Sequence, residues 1–230
     1  MKIALIGYGK MGHAVEALAS KRGHVVVATI DCGDPWPERL EADVAVEFST
    51  PATAVENIRR CWQLGLPVVC GTTGWNAQYE AVKAECLAGG HSLFTASNFS
   101  IGMNIMFALN ERLAELMRGR EEYQVSISET HHIHKLDAPS GTAITLREQI
   151  VEFGDWISER VPIASYREGE VPGTHTVVYD SEIDTLTLTH EAHSRKGLAQ
   201  GALLAAEWLV GKRGVFTMKD LLGSHPQPLS

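Results

Sequence analysis

The chain has no excess of basic residues and no basic stripe; 20 Lys and Arg stand against 28 Asp and Glu, for a formal net charge of −8. Nucleic acid and anionic membrane surfaces therefore drop out as partners. Any phosphate the protein holds must be held by local amides rather than by an overall field. Cysteine is sparse, and Cys32, Cys61, Cys70 and Cys86 show no CxxC spacing. Cys61 falls in a helical pattern and Cys70 in an apolar strand pattern, so buried thiols in a reducing compartment are expected. No apolar run approaches the roughly 20 residues that span a bilayer. The run before the first glycine loop is too short for a secretory signal, so a cytoplasmic location is expected. Repeats and low-complexity stretches are also missing.

What is present is an ordinary apolar content of 44% over 230 residues, enough for one large domain or two modest ones. Residues 2–7, Lys-Ile-Ala-Leu-Ile-Gly, read as a short buried strand. Gly7-Tyr8-Gly9-Lys10-Met11-Gly12 follows, then a helical pattern through Val15, Leu18 and Ala19. Residues 24–30 read as a second strand that ends at Asp31. This is GxGxxG in the context a dinucleotide requires: strand, glycine turn, helix, strand, acid. Gly7 permits the tight turn, Gly9 lets a pyrophosphate approach the backbone, and Gly12 lets the helix pack on the strand. Asp31 is placed to accept hydrogen bonds from a ribose.

Strand and helix continue to alternate up to residue 100. Strands are expected at 43–49, 67–70 and 92–96, and helices at 52–64 and 78–87. Such β-α units imply a parallel sheet. Each strand ends in small or polar residues: Gly7, Asp31, Ser49, Gly71-Thr72-Thr73, and Ala96 with Ser97-Asn98. Ligands of open parallel sheets bind at these carboxyl ends, so the five ends should line one crevice.

The pattern then changes. A long helix is expected at 104–117 and a strand at 124–131, with Val125, Ile127, Glu129 and His131 on one face. Ser140 should cap a helix over 141–151, and 174–179 with 185–190 read as an antiparallel hairpin. An apolar helix at 198–210 should pack back on the first domain, and 223–230 is expected to be loose. The fold class is α/β, a Rossmann-type parallel-sheet domain (1–100 plus 196–230) with a second α+β domain (101–195) for substrate and assembly.

The richest stretch is 129–143, Glu-Thr-His-His-Ile-His-Lys-Leu-Asp-Ala-Pro-Ser-Gly-Thr-Ala. Three histidines and a lysine supply proton donors and cations. The Ser140-Gly141-Thr142 turn offers free N–H groups to an anion. Together they suggest a site that holds an acidic small molecule and protonates it. His134 alone reads as a surface residue. Zinc is disfavoured, because adjacent His131 and His132 point to opposite faces of a strand and Lys135 would repel a cation.

These motifs resemble those of the dihydrodipicolinate reductases, the 4-hydroxy-tetrahydrodipicolinate reductases of the diaminopimelate route to lysine. The match covers Glu129–Ala143, Gly71-Thr72-Thr73-Gly74, Asn98-Phe99-Ser100 with Gly102 and Asn104, Arg167-x-Gly169 with Pro172-Gly173-x-His175, and His193-Ser194-Arg195. The resemblance implies that His131 and Lys135 form the proton-donating pair, and that His132 binds substrate with Ser140, Gly141 and Thr142. It also implies a nucleotide site of Gly7, Tyr8, Gly9, Lys10, Met11, Gly12, Asp31, Ser49, Gly71, Thr72, Thr73, Ala96, Ser97, Asn98 and Phe99, and a homotetramer built through the sheets of the substrate domains. No metal is implied.

The chain departs from the family by being shorter around residues 32–42, by having one residue fewer in its glycine loop than many members, and by carrying Cys32 where many have a basic residue. With Asp31 and no cation beside it, NADH is the preferred cofactor expected here and NADPH a lesser one. The substrate implied is a cyclic imine with two carboxylates. Hydride addition leaves an electron-rich carbon that needs a proton, a task suited to a histidine near its ordinary pKa. The donors must then come close to the nicotinamide, by closure of one domain on the other. Two other readings stand beside this one: a nicotinamide enzyme acting on another small dicarboxylate, and a non-catalytic dinucleotide sensor.

Overall fold

The structure, a computed structural model, describes residues 1–153, 161–194 and 196–223. It divides into two compact units. The first comprises Met1–Ser100 and the C-terminal segment from Lys196; the second comprises the residues between.

The first unit carries six strands in one sheet. These are β1 (Lys2–Ile6), β2 (Val25–Ile30), β3 (Val44–Glu47), β4 (Val68–Cys70), β5 (Ser92–Thr95) and β10 (Gly214–Phe216), in the order β10-β5-β4-β3-β1-β2. Every pairing is parallel. Helices α1 (Lys10–Lys21) and α6 (Lys196–Leu209) pack on each other, while α2 (Ala54–Gln63) and α3 (Tyr79–Ala88) pack against β3–β5 and β10. One core sets Ala4, Ile6, Ala45, Val68 and Leu93 against Ile58, Trp62 and Val82. Their strand neighbours Ile3, Leu5, Val44, Val46 and Val69 are buried as well. Burial on both faces explains why these strands read as unbroken apolar runs rather than alternations. Cys61, Cys70 and Cys86 are buried thiols, and Cys32 is exposed. Helix α7 (Met218–Gly223) closes the described chain. The tail expected to be loose lies, from residue 224, outside the described residues.

The second unit holds a four-stranded mixed sheet of β6 (Gln124–His131), β7 (Ile163–Arg167), β8 (Gly173–Asp180) and β9 (Thr185–Ala192), in the order β7-β6-β8-β9. β8 and β9 form the expected antiparallel hairpin, β6 joins β8 antiparallel, and β7 joins β6 in parallel. Here β6 does alternate: Val125, Ile127, Glu129 and His131 face inward. Val125 and Ile127 meet Met103, Met106, Leu146 and Ile150 of α4 (Ile101–Leu116) and α5 (Gly141–Phe153). α4 begins three residues earlier than its apolar pattern indicates. β7 was not foreseen: Ile-Ala-Ser-Tyr-Arg is only half-buried and carries polar residues at two of five positions. No helix among the described residues is long and apolar enough to cross a membrane.

Candidate active site

In the first unit, the parallel strands deliver the motif loops to one edge of the sheet. The backbone stitches them together: Gly7 N–H donates to Ile30 O, Phe48 N–H to Ile6 O and Gly71 N–H to Glu47 O, each at 2.8 Å. Ser49 N–H donates to Thr72 Oγ1 at 2.7 Å. Gly7 has φ +86°, and a Cβ there would lie 2.1 Å from Phe48 O, so only glycine lets β1 turn this close to the end of β3. A Cβ on Gly12 would lie 2.7 Å from Gly7 O. A Cβ on Gly9 would meet nothing within 4 Å.

Gly9 caps α1 without a side-chain hydrogen bond, and the first turn carries no acid. The N–H groups and the positive end of the helix dipole are therefore left for an anion. The close-packed Gly7 and Gly12, with open space at Gly9, are what a pyrophosphate lying over this turn requires. These residues fit a dinucleotide. Lys10 and Asp31 are exposed beside the loop, and Met11 is half-buried.

Not every residue of the expected set presents its side chain. Tyr8 folds back on α1, where its hydroxyl bonds Glu16 and its ring lies on His13. Phe99 is 2% exposed and packs against Phe94 and Phe48, so only its backbone can serve a ligand. Asn98 Oδ1 accepts the Ser100 N–H at 2.9 Å and shapes the turn after β5; Ala96 is half-buried, and Ser97 and Thr73 are exposed. Sequence reasoning missed Glu47, fully buried at the end of β3. Its carboxylate receives the Ser49 hydroxyl, Asn57 Nδ2 at 3.4 Å and Cys70 Sγ at 3.1 Å. Burial first, then this carboxylate, pushes the Cys70 thiol well up, so it stays protonated. An acid closing an apolar strand was the available signal. A cleft lined by Trp62, His91, Ser92 and Lys212 opens at the opposite edge of the sheet and contains no motif residue.

In the second unit, β6 ends at the histidine cluster. Glu129 and His131 lie two residues apart on the inward face, 1% and 7% exposed. Cross-strand pairing sets His175 of β8 opposite Glu129, and Arg167 of β7 opposite His131. Glu129 Oε1 accepts the Ser140 N–H at 3.1 Å, and Glu129 Oε2 lies 3.4 Å from His131 Nδ1. Arg167 reaches the same carboxylate at 3.5 Å and donates to the carbonyls of Lys135 and Asp137 at 3.2 and 2.6 Å, fixing the loop between them.

Ser140 turns inward. Its hydroxyl accepts the Ala143 N–H at 3.2 Å as the cap of α5 and lies 3.2 Å from His175 Nε2. Its hydroxyl thus serves the cap and its N–H serves Glu129. Gly141 and Thr142 follow it in the first turn, where N–H groups have no intrahelical partner. Lys135 lies in the loop with its ammonium on Asp137, at 2.8 and 2.9 Å. His132 is half-buried beside His131, its ring 6.1 Å from that of His134. His134 is exposed beside Glu170, as a surface histidine would be.

The electrostatics follow from burial. Burial lowers the His131 pKa; Glu129 opposes this and Lys135 and Arg167 add to it. Burial lowers His175 further, to about 4, with neighbouring His131 next in size. For Glu129, burial works upward, but hydrogen bonds from Ser140 and Ser165 together prevail and hold its carboxyl below the usual value. The zinc reading considered only His131, His132 and His134. The structure instead gathers the ligand-type atoms of Glu129, His131 and His175 within 4.8 Å. Arg167 reaches the Glu129 carboxylate at 3.5 Å, and Arg167 and Lys135 both lower the His131 pKa, positive charge that opposes a bound cation.

Comparison with known proteins agrees with both halves. The profile described as "Dihydrodipicolinate reductase, N-terminus" matches residues 1–99, and "Dihydrodipicolinate reductase, C-terminus" matches residues 102–222. A curated relative from Christiangramia forsetii, named 4-hydroxy-tetrahydrodipicolinate reductase, is 46% identical, covering 96% of this chain and 98% of its own. One of the same name from Akkermansia muciniphila is 35% identical, covering 94% of each. Among solved structures, a dipicolinate-bound dihydrodipicolinate reductase from Paenisporosarcina sp. TG-14 shares the fold, with TM-score 0.77 at 22% identity over 94% of this chain and 97% of that one.

Proposed function

The chain belongs to the dihydrodipicolinate reductase family, and from that premise we propose that it reduces 4-hydroxy-tetrahydrodipicolinate, by way of dihydrodipicolinate, to tetrahydrodipicolinate on the diaminopimelate route to lysine. The observation that carries the reading is the full-length 46% identity to a relative named for that reaction. The motif residues add a buried imidazole beside a helix N-terminus, a proton donor next to an anion cradle.

The amides at the start of α1 would hold the pyrophosphate of a nicotinamide dinucleotide and Asp31 would accept hydrogen bonds from its ribose; when bound, it would supply the hydride. Gly141 and Thr142 hold one substrate carboxylate through their N–H groups. His132 and Lys135 hold the substrate's negative charge; the Lys135–Asp137 pair is at the surface, where such pairs are worth at most about 1 kcal/mol, so a carboxylate can displace Asp137. His131 gives the proton to the ring carbon that hydride addition leaves electron-rich. NADH is preferred over NADPH, the protein is a homotetramer assembled through the second unit's sheet, and it works in the cytoplasm.

Product analysis tests this reading. Dinucleotide deuterated at nicotinamide C4 should place one deuterium on the tetrahydrodipicolinate ring. Product without label would refute direct hydride transfer. Turnover of a different dicarboxylate would point to a related reductase, and tight NADH binding without turnover to a sensor.

A further inference from the structure

We infer that Glu129 is a positioning residue for His131: its buried carboxylate faces Nδ1 of the ring and also anchors the N-terminus of α5, so that proton donor and anion cradle hang from one fixed point. This rests on the reading of His131 as the proton donor.

The position of Glu129 in the strand is the first argument. On the inward face of β6 it follows Val125 and Ile127, where packing alone calls for another apolar residue. A buried carboxylate carries a desolvation penalty on the order of several kcal/mol unless it is well paired. Glu129 accepts the Ser140 N–H at 3.1 Å and has the Arg167 guanidinium at 3.5 Å, with His131 Nδ1 facing it at 3.4 Å and His175 Nε2 farther off at 3.8 Å.

The second argument is the ring's orientation. Nδ1 is turned to Glu129 Oε2, and both atoms are buried and lack any aligned hydrogen-bond partner. A carboxylate at this place makes Nδ1 the nitrogen that keeps its proton in the neutral ring. Nε2 is then the nitrogen that gives its proton away and takes it back. Gly173 lies on that side; a Cβ there would come 3.1 Å from Nε2, so the absence of a side chain keeps the nitrogen clear.

The charges around His131 come from every element that packs on it. Glu129 faces it from its own strand, and Lys135 and Asp137 from the following loop. Arg167 faces it from β7 and His175 from β8, with His190 of β9 behind His175. Burial, Lys135 and Arg167 favour the neutral ring. Asp137 is spent on Lys135 at 2.8 Å. Glu129 is the close counterweight that lets His131 carry its proton.

Two measurements decide the matter. In the native protein, 15N NMR of the His131 ring should show the neutral form protonated on Nδ1; a neutral ring protonated on Nε2 overturns the inference. In Glu129→Gln, which is close to isosteric, the limb of the kcat profile that falls with rising pH should move down by about one unit, the effect of a roughly tenfold weaker hold on the proton. At the acid end kcat should return towards native, which a misfolded site would not do. An unshifted profile overturns the inference. If Glu129→Gln does not fold, as judged by NADH binding and melting, the native tautomer decides alone. His131→Gln separates the two ideas: native kcat in that variant removes the donor role itself, whereas a large loss beside an unshifted Glu129→Gln profile removes only the role of Glu129.

Discussion

Asp34 Oδ2 accepts the backbone N–H of Asp31 at 2.8 Å, so the loop leaving β2 begins with two carboxylates where a ribose would be read. The 2′-phosphate of NADPH would meet both. Cys32 offers no compensating cation, and Lys10 is an exposed, flexible point charge whose pairing is worth at most about 1 kcal/mol. NADH should be favoured roughly tenfold in kcat/KM, or about 1.4 kcal/mol. Asp31→Ser should narrow this gap only in part, because Asp34 remains, and adding Cys32→Arg should invert it. Steady-state kinetics with both cofactors check this; equal native values would mean that another residue holds the phosphate.

Removal of the proposed donor, His131, or of the neighbouring Lys135 should act on the chemical step. His131→Gln and Lys135→Ala should each lower kcat by about 10²–10³. NADH affinity should stay near native, since the residues that cradle the dinucleotide are in the first unit. His132→Ala should mainly raise KM, as loss of ground-state binding does. Stopped-flow and steady-state rates with NADH titrations separate these outcomes, and a variant with near-native kcat leaves the mechanism.

Acid should destabilise the second unit through His175. Its pKa is lowered by burial to about 4, against about 6.5 when unfolded. Between these values the unfolded chain binds a proton that the folded chain refuses, so stability is full above about pH 6.5 and falls as pH drops towards 4. The loss is on the order of 1–3 kcal/mol, a few degrees in melting temperature. His131, shifted in the same direction, adds to it. His175→Gln should flatten the slope in this window when melting is followed against pH; an unchanged slope would mean that His175 is accessible to protons when folded.

Assembly should involve the outer strand of the second sheet. β9 is an edge, and it exposes Leu186 along with Thr185 and Thr187. Proteins rarely leave such an edge uncovered, and closed symmetry favours a tetramer. Light scattering at micromolar concentration should give four times the 25.1 kDa chain mass. A monomer would contradict this.

Much of the fold was legible because periodicity and turn chemistry agree locally. β6 spans the 124–131 of its alternating pattern, and Ser140 caps the following helix as its type and place suggest. The glycine loop was legible for the same reason. What stayed hidden depends on pairing between distant segments. Nothing local in Ile163–Arg167 marks a strand, yet its register is what puts Arg167 opposite His131. His175 was visible as part of a motif, but its place opposite Glu129 follows only once β8 is set against β6. Phe99 and Ser140 were recognised as parts of the motifs, but their inward direction is decided by packing and capping rather than by spacing.

The most direct measurement of the central claim is NADH oxidation in a coupled mixture. The upstream synthase, pyruvate and aspartate semialdehyde generate the unstable substrate in place, and each is left out in turn. Absorbance at the NADH band should fall only when all three are present with this protein, and His131→Gln should slow that fall at least a hundredfold. Stable NADH in the complete mixture, with active synthase, would contradict the account.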